Sequence, residues 1–131
     1  MAVSSIKAIF RNNIKDVWNV ITSLENFQWR SDLSNIDIIS DNQFIEYTKN
    51  GYATTFTITI IKPYERWEFD MENDNMKGHW TGIFSSHNDD TEIEFIEDIT
   101  PKKLIMKPFI KSFLKKQQAL YVSDLKKVLQ S

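Results

Sequence analysis

The segment from Phe10 to Trp29, FRNNIKDVWNVITSLENFQW, constrains the fold most, because it sets a short amphipathic helix between a lone strand and a long strand-rich run. Ahead of it, Ser4, Ile6, Ala8 and Phe10 alternate with Val3, Ser5, Lys7 and Ile9, the pattern of a half-buried strand. Asn12 or Asn13 then supplies a side-chain oxygen for the free N–H groups of a first helical turn, with Asp16 near its positive end. Ile14, Val17, Trp18, Ile21 and Leu24 follow at steps of three and four, so one helix face is buried. The region from Leu24 to Asp32 reads as a second short helix carrying Phe27 and Trp29, which plug one end of the core. This order points to one concave sheet folded around a cavity and closed by the helix that ends the chain.

The remainder is strand-rich until its last thirty residues. Ser34 to Thr48 reads as two strands joined at Asp41-Asn42. Asn50-Gly51 predicts a two-residue type I′ hairpin turn, which needs positive φ at both positions. Tyr52 to Ile61 returns antiparallel, with Phe56, Ile58 and Ile60 on one face, and Pro63 ends that ladder for want of an N–H. Trp67, Phe69 and Met71 alternate with Arg66, Glu68, Asp70 and Glu72. Trp80, Gly82 and Phe84 share a face of the next strand, and Ile93 and Phe95 face inward on the last, after the polar turn His87-Asn88-Asp89-Asp90. Beyond Pro108 the period changes: Phe109, Phe113, Leu120, Leu125, Val128 and Leu129 predict a final helix of about 22 residues, roughly 30 Å long and able to cross the sheet.

Composition narrows the class of protein. At 131 residues, with 41% hydrophobic and 13% aromatic content, residues 1–131 read as one domain with a packed core. Cysteine is absent, which removes disulfides and thiolate metal sites and suits a reducing compartment. Neither a signal-peptide block nor a run of roughly 18 apolar residues is present, so a cytoplasmic protein without stable membrane insertion is expected. Charge is uneven. Eleven acids against Arg66 and Lys77 lie between Glu65 and Asp98, whereas eight lysines and one acid, Asp124, follow Pro101. Both runs read as solvated faces; the sharper alternative is a dock for an anionic lipid or an acidic partner.

In this order the chain resembles the START-like superfamily, also called SRPBCC or helix-grip, and within it the polyketide cyclase/dehydrase-like group. IKAIFRNNIKDVWNVITSLENF with Trp29 following, IIKPYERWEF, GHWTGIF and TEIEF carry the resemblance. The proline often found before the family's tryptophan is missing ahead of Trp29, and Asn88-Asp89-Asp90 replaces the usual glycine of the last hairpin. The resemblance implies an α+β helix-grip fold, β-α-α-β6-α, in which a curved antiparallel sheet of about seven strands wraps around a long C-terminal helix. It also implies a cavity for a small hydrophobic or amphipathic ligand. The matching cavity positions are Phe27, Trp29, Phe56, Ile58, Trp67, Phe69, Trp80, Phe84, Ile93 and Phe95, with Phe113, Gln117 and Tyr121 from the helix.

Gln117 and Tyr121 stand one turn apart on the line of Phe113, which puts two polar tips toward the interior. A small-molecule binding or transport protein is therefore the leading expectation. Its rivals are a cyclase- or dehydrase-type enzyme with Tyr121 or Tyr47 as proton donor, and an interaction module using Lys111, Lys115 and Lys116 of the last helix. His79 and His87 read as surface residues, and no metal or other cofactor is expected. No hydrolase triad, phosphate loop or zincin motif is present, and a basic helix without arginine gives no basis for nucleic-acid binding. No motif specifies an oligomeric state.

Overall fold

The computed structural model describes residues 2–130. Its elements are β1 (Ala2–Phe10), α1 (Ile14–Thr22), β2 (Leu33–Ser40), β3 (Gln43–Thr48), β4 (Ala53–Lys62), β5 (Arg66–Glu72), β6 (Met76–His87), β7 (Asp90–Pro101), a 3₁₀ turn at Leu104–Met106, and α2 (Ile110–Leu129). All seven strands form one antiparallel sheet in the order β1-β7-β6-β5-β4-β3-β2. The first strand thus pairs with the last, from Ala2 opposite Ile99 to Phe10 opposite Thr91. This is the helix-grip architecture, with α2 lying along the concave face.

Local chemistry accounts for most of the elements. Asn13 caps α1, its side-chain oxygen accepting the Asp16 N–H at 2.9 Å. Val17, Trp18 and Ile21 are the buried face of that helix. Trp18 meets Phe84 edge-on at 4.8 Å, and Phe10, Ile93 and Leu125 are buried in the same core. Asn12 reaches across to donate to the Leu129 carbonyl at 2.9 Å, occupying a carbonyl at the end of α2. Gln118 ties the middle of α2 to β1: it accepts from the Ser4 hydroxyl at 2.8 Å and donates to the Ser4 carbonyl at 2.9 Å.

Four expectations are corrected. No helix forms between Leu24 and Asp32; that segment is a run of turns. Ser31 donates both its backbone N–H and its hydroxyl to the buried Asp124 of α2, each at 2.8 Å, so tertiary partners meet backbone needs that a helix would otherwise meet. The Asn50-Gly51 turn is not type I′, since Gly51 has φ of 83° but Asn50 is not among the positive-φ residues. Gly51 donates to the Thr48 carbonyl and Thr48 to the Tyr52 carbonyl, both at 2.9 Å. That pattern is a three-residue loop with glycine in the left-handed position.

An irregularity between Ile58 and Ile60 in the β4–β5 register is the third departure. It places Ile60 opposite Glu68, on the outer face, while Ile58 opposite Phe69 stays inward. The fourth concerns α2, whose buried residues are Ile110, Leu114, Gln118, Asp124 and Leu125, whereas Phe109 is 67% exposed and Phe113 44%. The apolar stripe is broad, and the sheet selects a face rotated from the Phe109–Phe113 line.

Candidate functional site

Between α2 and the concave face lies a cavity of about 790 Å³. Its rim takes residues from the Leu24–Leu33 segment, the β3–β4 loop, the β5–β6 turn and the start of α2. Alternation builds the apolar wall. Trp67 and Phe69 of β5, Trp80 of β6 and Phe95 of β7 all point inward. Trp80 is their hub: its ring stacks on Phe69 at 4.7 Å with 2° between planes, and Phe95 lies 5.0 Å away. Gly82 makes room for that ring, since a Cβ there would come within 2.7 Å of it. Phe44 and Phe56 extend the wall, stacked at 4.9 Å.

Of the residues expected at the cavity, Phe27, Trp29, Phe56, Trp67, Phe69, Trp80, Phe95, Phe113, Gln117 and Tyr121 line it. Ile58, Phe84 and Ile93 do not. Phe84, which meets Trp18 of α1, and Ile93 are buried in the core, and Ile58 is partly buried and packs against that core. The turn between Lys62 and Glu65 also serves the closed end, with Tyr64 at φ 67° setting its ring 5.9 Å from Trp18. Tyr47, the other tyrosine considered as a proton donor, is not a lining residue. The side chains of Lys111, Lys115 and Lys116 are exposed on α2. Just before that helix, Leu104 and Ile105 are each 77% exposed.

Tyr121 was expected at the polar end of the cavity; the charged groups around it, Arg30, Asp32, Glu46 and Glu97, were not. Arg30 donates Nε and Nη2 to Asp32, each at 3.2 Å, and Nη1 to Glu46 at 3.4 Å. Its guanidinium carbon lies 4.9 Å from the Tyr121 ring centroid and 5.9 Å from that of Trp29. Burial opposes its charge, but Glu46, Tyr121 and Asp32 hold Arg30 above its ordinary range, so it remains a cation. Burial pushes the Tyr121 phenol up, and it stays neutral. Burial likewise raises Glu46, with Arg30 opposing.

Glu97 of β7 also lines the cavity and forms no hydrogen bond or ion pair among the described residues. Burial pushes its carboxyl up to about 7, with Arg30 opposing the shift and Glu46 adding to it. A signal for this residue was present in the sequence: Glu97 has the parity of Ile93, Phe95 and Ile99, so an acid stands in an inward-facing register. Glu46 has the same relation to Phe44. Arg30 carried no such signal, because it lies outside any periodic element.

On the outer face, His79 bridges Glu68 at 2.6 Å and Asp70 at 2.7 Å, and Arg66 donates to Glu68 at 2.8 Å. Burial pushes Glu68 up, but bonds from His79 and Arg66 outweigh it and hold the carboxyl low. Among the described residues no cluster of three or more histidine or acidic side chains is placed to hold a metal ion. Nor is any helix among them long and apolar enough to cross a membrane.

The chain has the START-like helix-grip fold, and the solved structures it resembles bear this out over nearly its whole length. A START superfamily protein from Mycobacterium smegmatis superposes with a TM-score of 0.88 at 11% identity, covering 98% of this chain and 97% of that one. A conserved protein from Geobacillus kaustophilus gives 0.85 at 9% identity, covering 98% and 95%. A protein in the dynemicin biosynthetic locus gives 0.81 at 10% identity, covering 98% of this chain and 47% of that one. No family model and no curated protein matches the sequence.

Proposed function

We propose that this protein binds or carries a small hydrophobic or amphipathic molecule in the cavity between its curved sheet and α2. The observation that carries this reading is the cavity itself, about 790 Å³ with Trp67, Phe69, Trp80 and Phe95 as its apolar wall. Sites of this size and lining suit small molecules whose burial supplies the affinity. At roughly 25 cal/mol per Å² of apolar surface removed from water, burying about 300 Å² would contribute about 7–8 kcal/mol toward binding, before association costs. The reading assigns no reaction.

Titration with the neutral apolar fluorophore N-phenyl-1-naphthylamine tests it. The expected result is saturable one-to-one binding that Gln117→Trp weakens at least about tenfold, since the new indole fills space beneath α2. Failure of the fluorophore to saturate, together with native mass spectra showing no co-purified species, would end the proposal.

A further inference from the structure

We propose that the ligand is an amphipathic molecule with a cationic, amine-type head, which Glu97 receives while the apolar part lies along Trp67, Phe69 and Trp80. This rests on the cavity being a binding site and adds the chemistry of the head group. The alternative, an anionic head held by arginine, is poorly served. Arg30 is already engaged by Asp32 through two nitrogens and by Glu46 through a third, and the rings of Tyr121 and Trp29 flank it. The other cation of the lining is Lys49, whose side chain is exposed at the rim. An entering carboxylate or phosphate would therefore meet Asp32, Glu46 and Glu97 with one guanidinium, already paired, between them.

Glu97 has the complementary properties. It is the lining carboxyl with no hydrogen-bond or ion-pair partner among the described residues, and it stands beside the aromatic wall, opposite Trp80 in the β6–β7 register. The charged and titratable groups around it are Arg30 and Asp32 before β2, Glu46 on β3 and Tyr121 on α2. A carboxylate left buried without a partner is costly, and an ammonium head removes that cost with a charge-assisted hydrogen bond. Because the free carboxyl titrates at about 7, a protonated amine that binds below that pH must displace a proton from Glu97. Affinity for the amine therefore falls as pH drops below 7, while a neutral ligand of the same length shows no such dependence.

Calorimetry with three twelve-carbon probes below their micelle concentrations, dodecylammonium, 1-dodecanol and laurate, separates the cases. At pH 8 the ammonium is expected to bind about tenfold more tightly than laurate, an advantage that shrinks at pH 5.5. Glu97→Gln should remove the advantage and leave dodecanol within about twofold, a charge-assisted bond being the one interaction deleted. Glu94→Gln deletes the same charge from the outer face and should preserve the advantage. Laurate binding as tightly as dodecylammonium at pH 8, or a Glu97→Gln protein that keeps the preference, would overturn the proposal. If dodecanol binds and the ammonium gains nothing, the head-group assignment falls and the cavity reading stands; if none of the three binds, both fall.

Discussion

Trp18 and Tyr121 each meet aromatic rings of the same sheet edge-on, Trp18 against Phe84 at 4.8 Å and Tyr121 against Phe95 at 5.1 Å, yet their surroundings differ in kind. Around Trp18 the concave face is covered by α1, and Val17, Ile93 and Leu125 of the same core are fully buried. Around Tyr121 the same face stays open, and Arg30, Asp32, Glu46 and Glu97 gather there. The buried side-chain donors without a partner among the described residues, the indole N–H groups of Trp29 and Trp67 and the Tyr52 hydroxyl, also belong to residues of the cavity wall. One end of the sheet satisfies the rules of packing, and at the other buried polar groups stand without partners among the described residues.

The largest expected effect breaks the closed end. Trp18→Ala should cost about 3–5 kcal/mol in urea unfolding, because a buried indole leaves a cavity that its neighbours only partly fill. Apolar-probe affinity of the folded fraction should stay within about twofold, so a parallel loss of binding would show that the two ends are not separate.

Next in size, and opposite in sign, is the open end. Glu97 has its carboxyl raised to about 7 from an ordinary 4.5, so the folded protein holds that proton more tightly than the unfolded chain. Stability is then lost as pH rises from 4.5 to 7 and stays lost above it. Relative to the wild type, Glu97→Gln should gain up to about 3 kcal/mol between pH 4 and pH 8, with the urea midpoints of the two proteins diverging across that range. Midpoints that keep a constant difference would mean the carboxyl is well solvated and the end is not specialised.

The smallest effect lies on the outer face. Burial lowers the His79 pKa, but bonds to Asp70 and Glu68 outweigh it and leave the imidazole above its ordinary 6.5. Its contribution is present below pH 6.5 and lost as pH rises through the folded pKa. Because the side chain is 36% exposed, solvent screens the cluster, and His79→Ala should cost less than about 1 kcal/mol at pH 6 and nothing measurable at pH 9. A larger cost would place part of the molecule's rigidity outside the cavity.

What the sequence determined by itself was whatever repeats locally. Period-two alternation identified the inward faces of β1, β5, β6 and β7, the three- and four-residue steps of Val17, Trp18 and Ile21 identified the buried face of α1, and Pro63 identified the end of β4. Those signals carry the helix-grip order and most of the aromatic wall, because each is set by neighbours along the chain. Only tertiary structure decided the rest. The turns between Leu24 and Asp32 depend on Asp124, distant in sequence, capturing Ser31, and the face of α2 that is buried depends on Gln118 meeting Ser4 of β1. Arg30, Glu46 and Glu97 come from three separate segments, and no spacing links them. They meet because the sheet curves, and their electrostatics arise from burial, which no single stretch of chain possesses.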